Sequence, residues 1–228
     1  MNKNPYIICT HDPNSNCKEC NTKGKLDCKL DKKQQMTSMK TVFSYVLIAI
    51  LGLVVTGILT GNWIILIIFL IFIGLFFFVI EIKINCSHCP YYAENKKTLN
   101  CPGNNFFPKL WKYNPKPISL GEQIGSIIGF GILGLYPFLS ELYGIWFVYS
   151  TEPNITFVKI IGPIIILIAT IVGYMIFISL FLFKFCPKCV NFSCRFNKVP
   201  QEYVDEYLKK NPVIRDAWKK SKITKDKE

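Results

Sequence analysis

Between Lys40 and Glu81 the chain carries no charged residue across about 40 positions. As one helix that run would be about 60 Å long, roughly twice the hydrocarbon core of a bilayer. It has to fold back, and Thr60-Gly61-Asn62 is the turn-like break near its middle. Spans are therefore expected at about 41–60 and 62–82. A third uncharged run lies between Glu122 and Glu141, rich in glycine and ending near Pro137. A fourth lies between Lys159 and Lys184 and is expected to cross from about Ile160 to Phe183. No small-residue cleavage pattern follows a short basic head, so the first span is expected to be retained.

The charge distribution gives these spans a direction. The chain has 27 Lys and Arg against 15 Asp and Glu, a net charge of +12. With four crossings, every basic residue except Lys159 falls on one side, while Glu141 and Glu152 fall on the other. That asymmetry predicts both termini and the middle loop to be cytosolic. Nucleic-acid binding would account for the total charge but not for its asymmetry, so no nucleic-acid partner is expected. Attraction to anionic headgroups accounts for the lysines more directly.

Ten cysteines stand in three groups, all in segments assigned to the basic side. The first group is Cys9, Cys17, Cys20 and Cys28, spaced C-x7-C-x2-C-x7-C. The others are Cys86, Cys89 and Cys101 (C-x2-C-x11-C) and Cys186, Cys189 and Cys194 (C-x2-C-x4-C). On the cytosolic side thiols should be reduced, which favours metal ligation or thiol chemistry over disulfides. A C-x2-C pair suits two thiolates gripping one ion, and four thiolates complete a tetrahedral zinc site. Cys86, Cys89, Cys186 and Cys189 are expected to share one zinc, leaving Cys101 and Cys194 spare or in a second site. An iron–sulfur cluster on four cysteines is the alternative cofactor, and four unligated thiols the plain one. His88 and His11 could replace a cysteine, but each reads more simply as a solvated histidine beside its group.

The organisation that follows is a four-cysteine module at 1–40, a membrane hairpin at 41–84, a cysteine-rich loop at 85–121, a second hairpin at 122–185 and a cysteine knuckle with short helices at 186–228. Residues 1–40 have too few apolar side chains for a core of their own, so metal is the ordering agent on offer. The aromatic and lysine run from Phe106 to Tyr113 reads as interfacial, rings at the headgroups and amines outward. Gly121, Gly125 and Gly129 share a helix face and would admit a neighbouring helix. Tyr143, Trp146 and Tyr149 form an outer aromatic belt, and Asn154-Ile155-Thr156 matches a glycosylation acceptor. In the tail, Tyr203, Val204, Tyr207 and Leu208 share one helical face and Val213, Ile214, Ala217 and Trp218 another, with Asn211 as N-cap before Pro212. The lysine-rich end from Ser221 is expected to fray.

Each half of the chain is a hairpin running into a C-x2-C pair, an internal repeat of pattern without sequence identity. The expected fold class is an all-α integral membrane protein: two transmembrane hairpins and a cysteine-rich cytosolic metal-binding cap. The expected function is a membrane-anchored zinc-binding scaffold that docks a protein partner at its cytosolic face. The alternative is a membrane redox protein using an iron–sulfur cluster or C-x2-C thiol exchange. No H-E-x-x-H, Walker A loop or nucleophile elbow points to an enzyme. The uncharged spans argue against an ion-coupled transporter.

Overall fold

A computed structural model describes residues 4–17, 19–105, 107–151 and 157–225, and for 157–159 and 222–225 the backbone only. Among these residues lie six α-helices: α1 Lys32–Thr60, α2 Ile64–Leu75, α3 Leu120–Thr151, α4 Phe157–Leu180, α5 Gln201–Lys210 and α6 Pro212–Lys225. Helix α2 continues as a π-helix over Phe76–Asn85, and α4 likewise over Phe181–Phe185. Four stretches are long and apolar enough to cross a bilayer: Lys32–Thr60, Ile64–His88, Leu120–Thr151 and Ile160–Lys188. Four long apolar helices are thus present, consistent with a multi-pass membrane fold.

The chain divides into two compact units, one of residues 1–39, 78–126 and 180–228, the other of 40–77 and 127–179. In the second unit the helices do not pair as two self-contained hairpins, which corrects the expected arrangement. The α1–α2 turn forms as expected, with Gly61 at φ +69° and the Asn62 side chain accepting the Ile64 amide at 3.1 Å. Packing also runs between the sequence halves. Tyr45 of α1 stacks on Phe177 of α4, centroids 5.7 Å apart. Phe69 of α2 stacks on Tyr136 of α3 at 5.7 Å, and the Tyr136 hydroxyl donates to the Ile65 carbonyl at 2.8 Å. The result is a bundle, because aromatic rings and hydroxyls reach across to whichever helix presents a small residue or a free carbonyl.

Helix α3 is also longer than expected. It passes through Pro137 and reaches Thr151, so Tyr143, Trp146 and Tyr149 belong to the helix itself. A proline inside a helix leaves the carbonyl four residues earlier without its amide. That carbonyl is Leu133, and the buried Tyr45 hydroxyl donates to it at 2.6 Å. The start of α3 is fixed by reciprocal capping: Ser119 donates its amide and hydroxyl to Glu122 at 2.8 and 2.7 Å. The expected glycine contacts shift as well. A Cβ at Gly121 would meet nothing within 4 Å and one at Gly125 would lie 3.7 Å from Ile84, whereas Gly134 seats the Tyr174 ring and a Cβ at Gly144 would lie 3.1 Å from Thr56.

In the first unit the N-terminal segment borrows a core instead of making one. Ile8 and Leu26 are buried with Tyr91, Ala93, Val190, Tyr207 and Ile214. Asn211 begins α6 as expected, but its side chain does not cap the helix. It is 0% exposed, accepts the Cys9 amide at 2.8 Å and donates to the Tyr207 carbonyl at 2.7 Å. Thr10 and Tyr207 share a further buried hydroxyl bond at 2.8 Å. Tyr203, Tyr207 and Leu208 of one tail face and Ile214 and Trp218 of the other pack here, while Val213 is exposed. Helix α6 continues regularly past Ser221 to Lys225, so the end is not frayed over that stretch; 226–228 lie outside the described residues. Phe106, Glu152 and the Asn154-Ile155-Thr156 triplet also lie outside them. Trp111 is partly exposed and donates its ring N–H to the Phe78 carbonyl at 3.2 Å, but Lys109 does not face outward: its amine donates to the carbonyls of Tyr92 and Glu94 at 2.9 and 2.6 Å.

Replacing Asn211 by Ala leaves the Cys9 amide and the Tyr207 carbonyl without these partners. Each unpaired buried group costs about 1–3 kcal/mol. Asn211→Ala is expected to loosen the N-terminal segment, read as faster proteolysis at Lys23 and Lys25 in the full-length protein. An unchanged rate would remove Asn211 from this role.

Candidate intramembrane site

The cysteines come first, because the sequence points to them. All ten are free thiols. Among the described residues no three His, Cys, Asp or Glu side chains form a group able to hold a metal ion. This overturns the zinc sites, the iron–sulfur alternative and the thiol-exchange reading together, and with them the metal-built cap, the zinc scaffold and the redox protein. The reason is visible in what the thiols touch. Cys9, Cys28, Cys89 and Cys101 pack against the apolar core of the first unit, where a thiol behaves as a small hydrophobe. Burial pushes the Cys28 thiol up to about 12, Cys101 to about 11, and Cys189 and Cys194 to about 12. Burial also raises Cys9 and holds Cys89 well above its ordinary value. In the metal-free protein these buried positions favour the neutral thiol.

Several thiols have other partners. Cys9 Sγ accepts from Asn211 at 3.3 Å, Cys17 bonds Ser15 at 3.3 Å, and Cys189 Sγ accepts the Asn191 amide at 3.5 Å. Cys86 and Cys186 each open a 3-10 turn at the end of a long helix, Cys86–His88 and Cys186–Lys188. The two turns are tied by Asn191, whose amide side chain donates to the Asn85 carbonyl at 2.8 Å. The C-x2-C pairs are thus structural turns and do not close on one ion. His88 is not solvated either. It is buried, with Nδ1 2.6 Å from the Lys116 carbonyl. His11 is half-buried, its Nε2 3.0 Å from the Pro90 carbonyl, and burial lowers its basicity.

Cys20 departs from this pattern. Burial is the largest single influence on it and raises the thiol, but hydrogen bonds with Thr22 and Lys210, each at 3.1 Å, together bring it below its ordinary value. In the detergent-solubilised protein near neutral pH, iodoacetamide is expected to label Cys20 well before Cys28. Lys210→Gln should slow Cys20 labelling several-fold by removing the ammonium beside the thiolate. Equal rates for Cys20 and Cys28 would contradict this assignment.

The side chain that stands out chemically lies in the second unit, where the sequence reading placed no site. Glu141 sits inside α3, four residues past Pro137, and is 3% exposed. Its Oε1 accepts from the Thr170 hydroxyl of α4 at 2.8 Å. Among the described residues its buried Oε2 has no hydrogen-bond partner. The carboxyl lies directly on Gly52 of α1, where an added Cβ would collide with Oε1. Thr56, one turn further along α1, returns its hydroxyl to the Gly52 carbonyl at 3.0 Å. Residues 41–80 and 160–183 hold no Asp, Glu, Lys, Arg or His. Within 41–60 of α1 and 160–180 of α4 the titratable groups are Tyr45 and Tyr174, whose rings lie 5.4 Å apart. Glu141 is thus a carboxyl in an apolar bundle, half satisfied and unpaired with any cation among the described residues.

Reading Pro137 as the end of the third span put Glu141 outside the membrane, which is why the site is missed from sequence. The available signal is the apolar pattern that resumes beyond it, from Leu142 to Val148. Searches against protein families, curated proteins and solved structures find no match to this chain.

Proposed function

We propose that this chain is a polytopic membrane protein that binds and releases a proton within the bilayer, at Glu141, as part of a carrier. The observation that supports this reading is the buried Oε2 without a partner inside a four-helix membrane bundle. An ionised carboxylate without a counter-charge is very unfavourable in an apolar interior, and such a group neutralises itself instead. Ionisable residues within spans are costly and mark ion or proton pathways. A metal cation needs several oxygen ligands. Here the described partners of the carboxyl are one hydroxyl and the backbone surface of Gly52. A proton needs no further ligand. The step is a carboxylic acid giving its proton to water and later recovering it.

Dicyclohexylcarbodiimide reacts with protonated carboxyls in apolar surroundings. In liposomes it is expected to modify Glu141 at low pH, less as the pH rises, and not at all in Glu141→Gln, with peptide mass spectrometry as the readout. Glu141 unmodified at every pH, or modified independently of pH, would remove the proton site.

The orientation proposed with this function puts both termini in the cytosol, on the basis of the lysine asymmetry. That residues 1–39, 78–126 and 180–228 pack as one unit supports a shared side for all three segments. Their lysines would then face the anionic leaflet. A membrane-impermeant maleimide applied to intact cells should label none of the ten cysteines. Labelling of Cys20 would reverse the orientation.

A further inference from the structure

We propose that the proton on Glu141 controls a pivot at Pro137, so that losing the proton frees the part of α3 beyond the proline. The inference rests on the reading of Glu141 as a proton site and adds what the proton does there. The two parts of α3 are held very differently. Before the proline, three tyrosine hydroxyls bond helix backbone across the bundle. Tyr45 donates to the Leu133 carbonyl at 2.6 Å, Tyr174 to Phe130 at 2.9 Å, and Tyr136 of α3 itself to Ile65 at 2.8 Å. The Tyr174 ring is seated on Gly134, and Phe130 and Tyr136 are packed on Phe76 and Phe69. Beyond the proline, from Phe138 to Thr151, the interhelical hydrogen bond among the described residues is the one from Thr170 to Glu141. Gly144 against Thr56 and Gly52 against Glu141 add close contact there, but no polar tie.

Pro137 separates these parts because it donates no amide into the helix. The carbonyl it leaves free is held by Tyr45, which fixes the near side of the pivot in place. On the far side the neutral carboxyl rests on Gly52 and accepts from Thr170. Deprotonation leaves a carboxylate there with one hydrogen bond. None of the charged residues of the chain lies in 41–80 or 160–183, and Tyr45 and Tyr174 are neutral hydroxyls committed to the Leu133 and Phe130 carbonyls. Among the described residues, α1 over 41–60 and α4 over 160–180 hold no cation to neutralise the charge. Water can, if the far part of α3 turns to meet it. The near part has no such reason to move.

Hydrogen exchange of the whole protein in lipid nanodiscs tests this, after correction for the intrinsic pH dependence of exchange. Raising the pH should accelerate amide exchange over 138–151 by roughly tenfold or more, the signature of a local opening. Exchange over 127–136 should stay unchanged. In Glu141→Gln, which keeps a neutral side chain of the same shape, the acceleration should vanish. In Pro137→Ala, which restores the amide, it should shrink while carbodiimide labelling of Glu141 keeps its pH dependence. Thr170→Val should raise exchange over 138–151 already at low pH. Acceleration that persists in Glu141→Gln, or spreads equally over 127–136, overturns the pivot. Labelling that follows pH without any change in exchange overturns the pivot and leaves the proton site standing. Loss of labelling in the wild-type protein removes the site beneath both.

Discussion

The bond from Tyr45 to the Leu133 carbonyl decides what the membrane bundle is. In hydrocarbon an unpaired backbone carbonyl has no water to turn to, so a proline within a span is tolerated only where a neighbour replaces the missing donor. Tyr45 is that neighbour, at 2.6 Å and fully buried. Because the carbonyl is satisfied, α3 continues through Pro137 to Thr151. Because α3 continues, Glu141 lies within the bundle. The close approach that lets hydroxyls reach backbone is made by glycines: Gly134 under Tyr174, Gly144 under Thr56 and Gly52 under Glu141. A methyl group at Gly52 or Gly134 would displace the carboxyl or the ring it carries.

The cysteine-rich unit solves a different problem, ordering a segment that has little core of its own. Ile8 and Leu26 enter a cluster whose other members come from the middle loop and the tail. Asn211 is the polar partner of this arrangement, satisfying backbone from both the N-terminal segment and α5. The Asp27 amide on the Lys188 carbonyl at 2.8 Å and the Tyr91 hydroxyl on the Asp27 carbonyl at 2.7 Å add two more cross-links. The ordering that metal was expected to supply comes from these contacts between segments far apart in sequence.

Hydropathy made the four spans legible, since length and charge exclusion leave few alternatives for an uncharged run of that size. The tail faces were legible for the same reason, from the periodicity of Tyr203, Tyr207 and Ile214. Two things were not. Proline reads locally as a stop, and a tyrosine on another helix makes Pro137 internal, so the apolar pattern resuming at Leu142 was the one local sign that Glu141 lies inside a span. Cysteine spacing reads as a ligand set, yet whether thiols converge depends on where three distant segments put them. Cys28, Cys89 and Cys101 were put into apolar packing, where the neutral thiol is favoured.

The matching C-x2-C pairs after the second and fourth spans still call for a reason once metal is set aside, and the backbone offers one. Each span widens into a π-helix, Phe76–Asn85 and Phe181–Phe185, then tightens into a 3-10 turn that begins at the first cysteine. The second cysteine closes the turn through its amide, Cys89 to the Cys86 carbonyl at 2.9 Å and Cys189 to Cys186 at 3.5 Å. Such a junction sits between apolar helix and polar loop, where a small, weakly polar side chain packs without demanding a strong partner. Proline follows Cys89 and Cys186, fixing the backbone at one end of each turn. The repeat seen in the sequence is therefore a repeat of how a helix ends. Its two copies meet through Asn191 and Asn85, with no ion between them required.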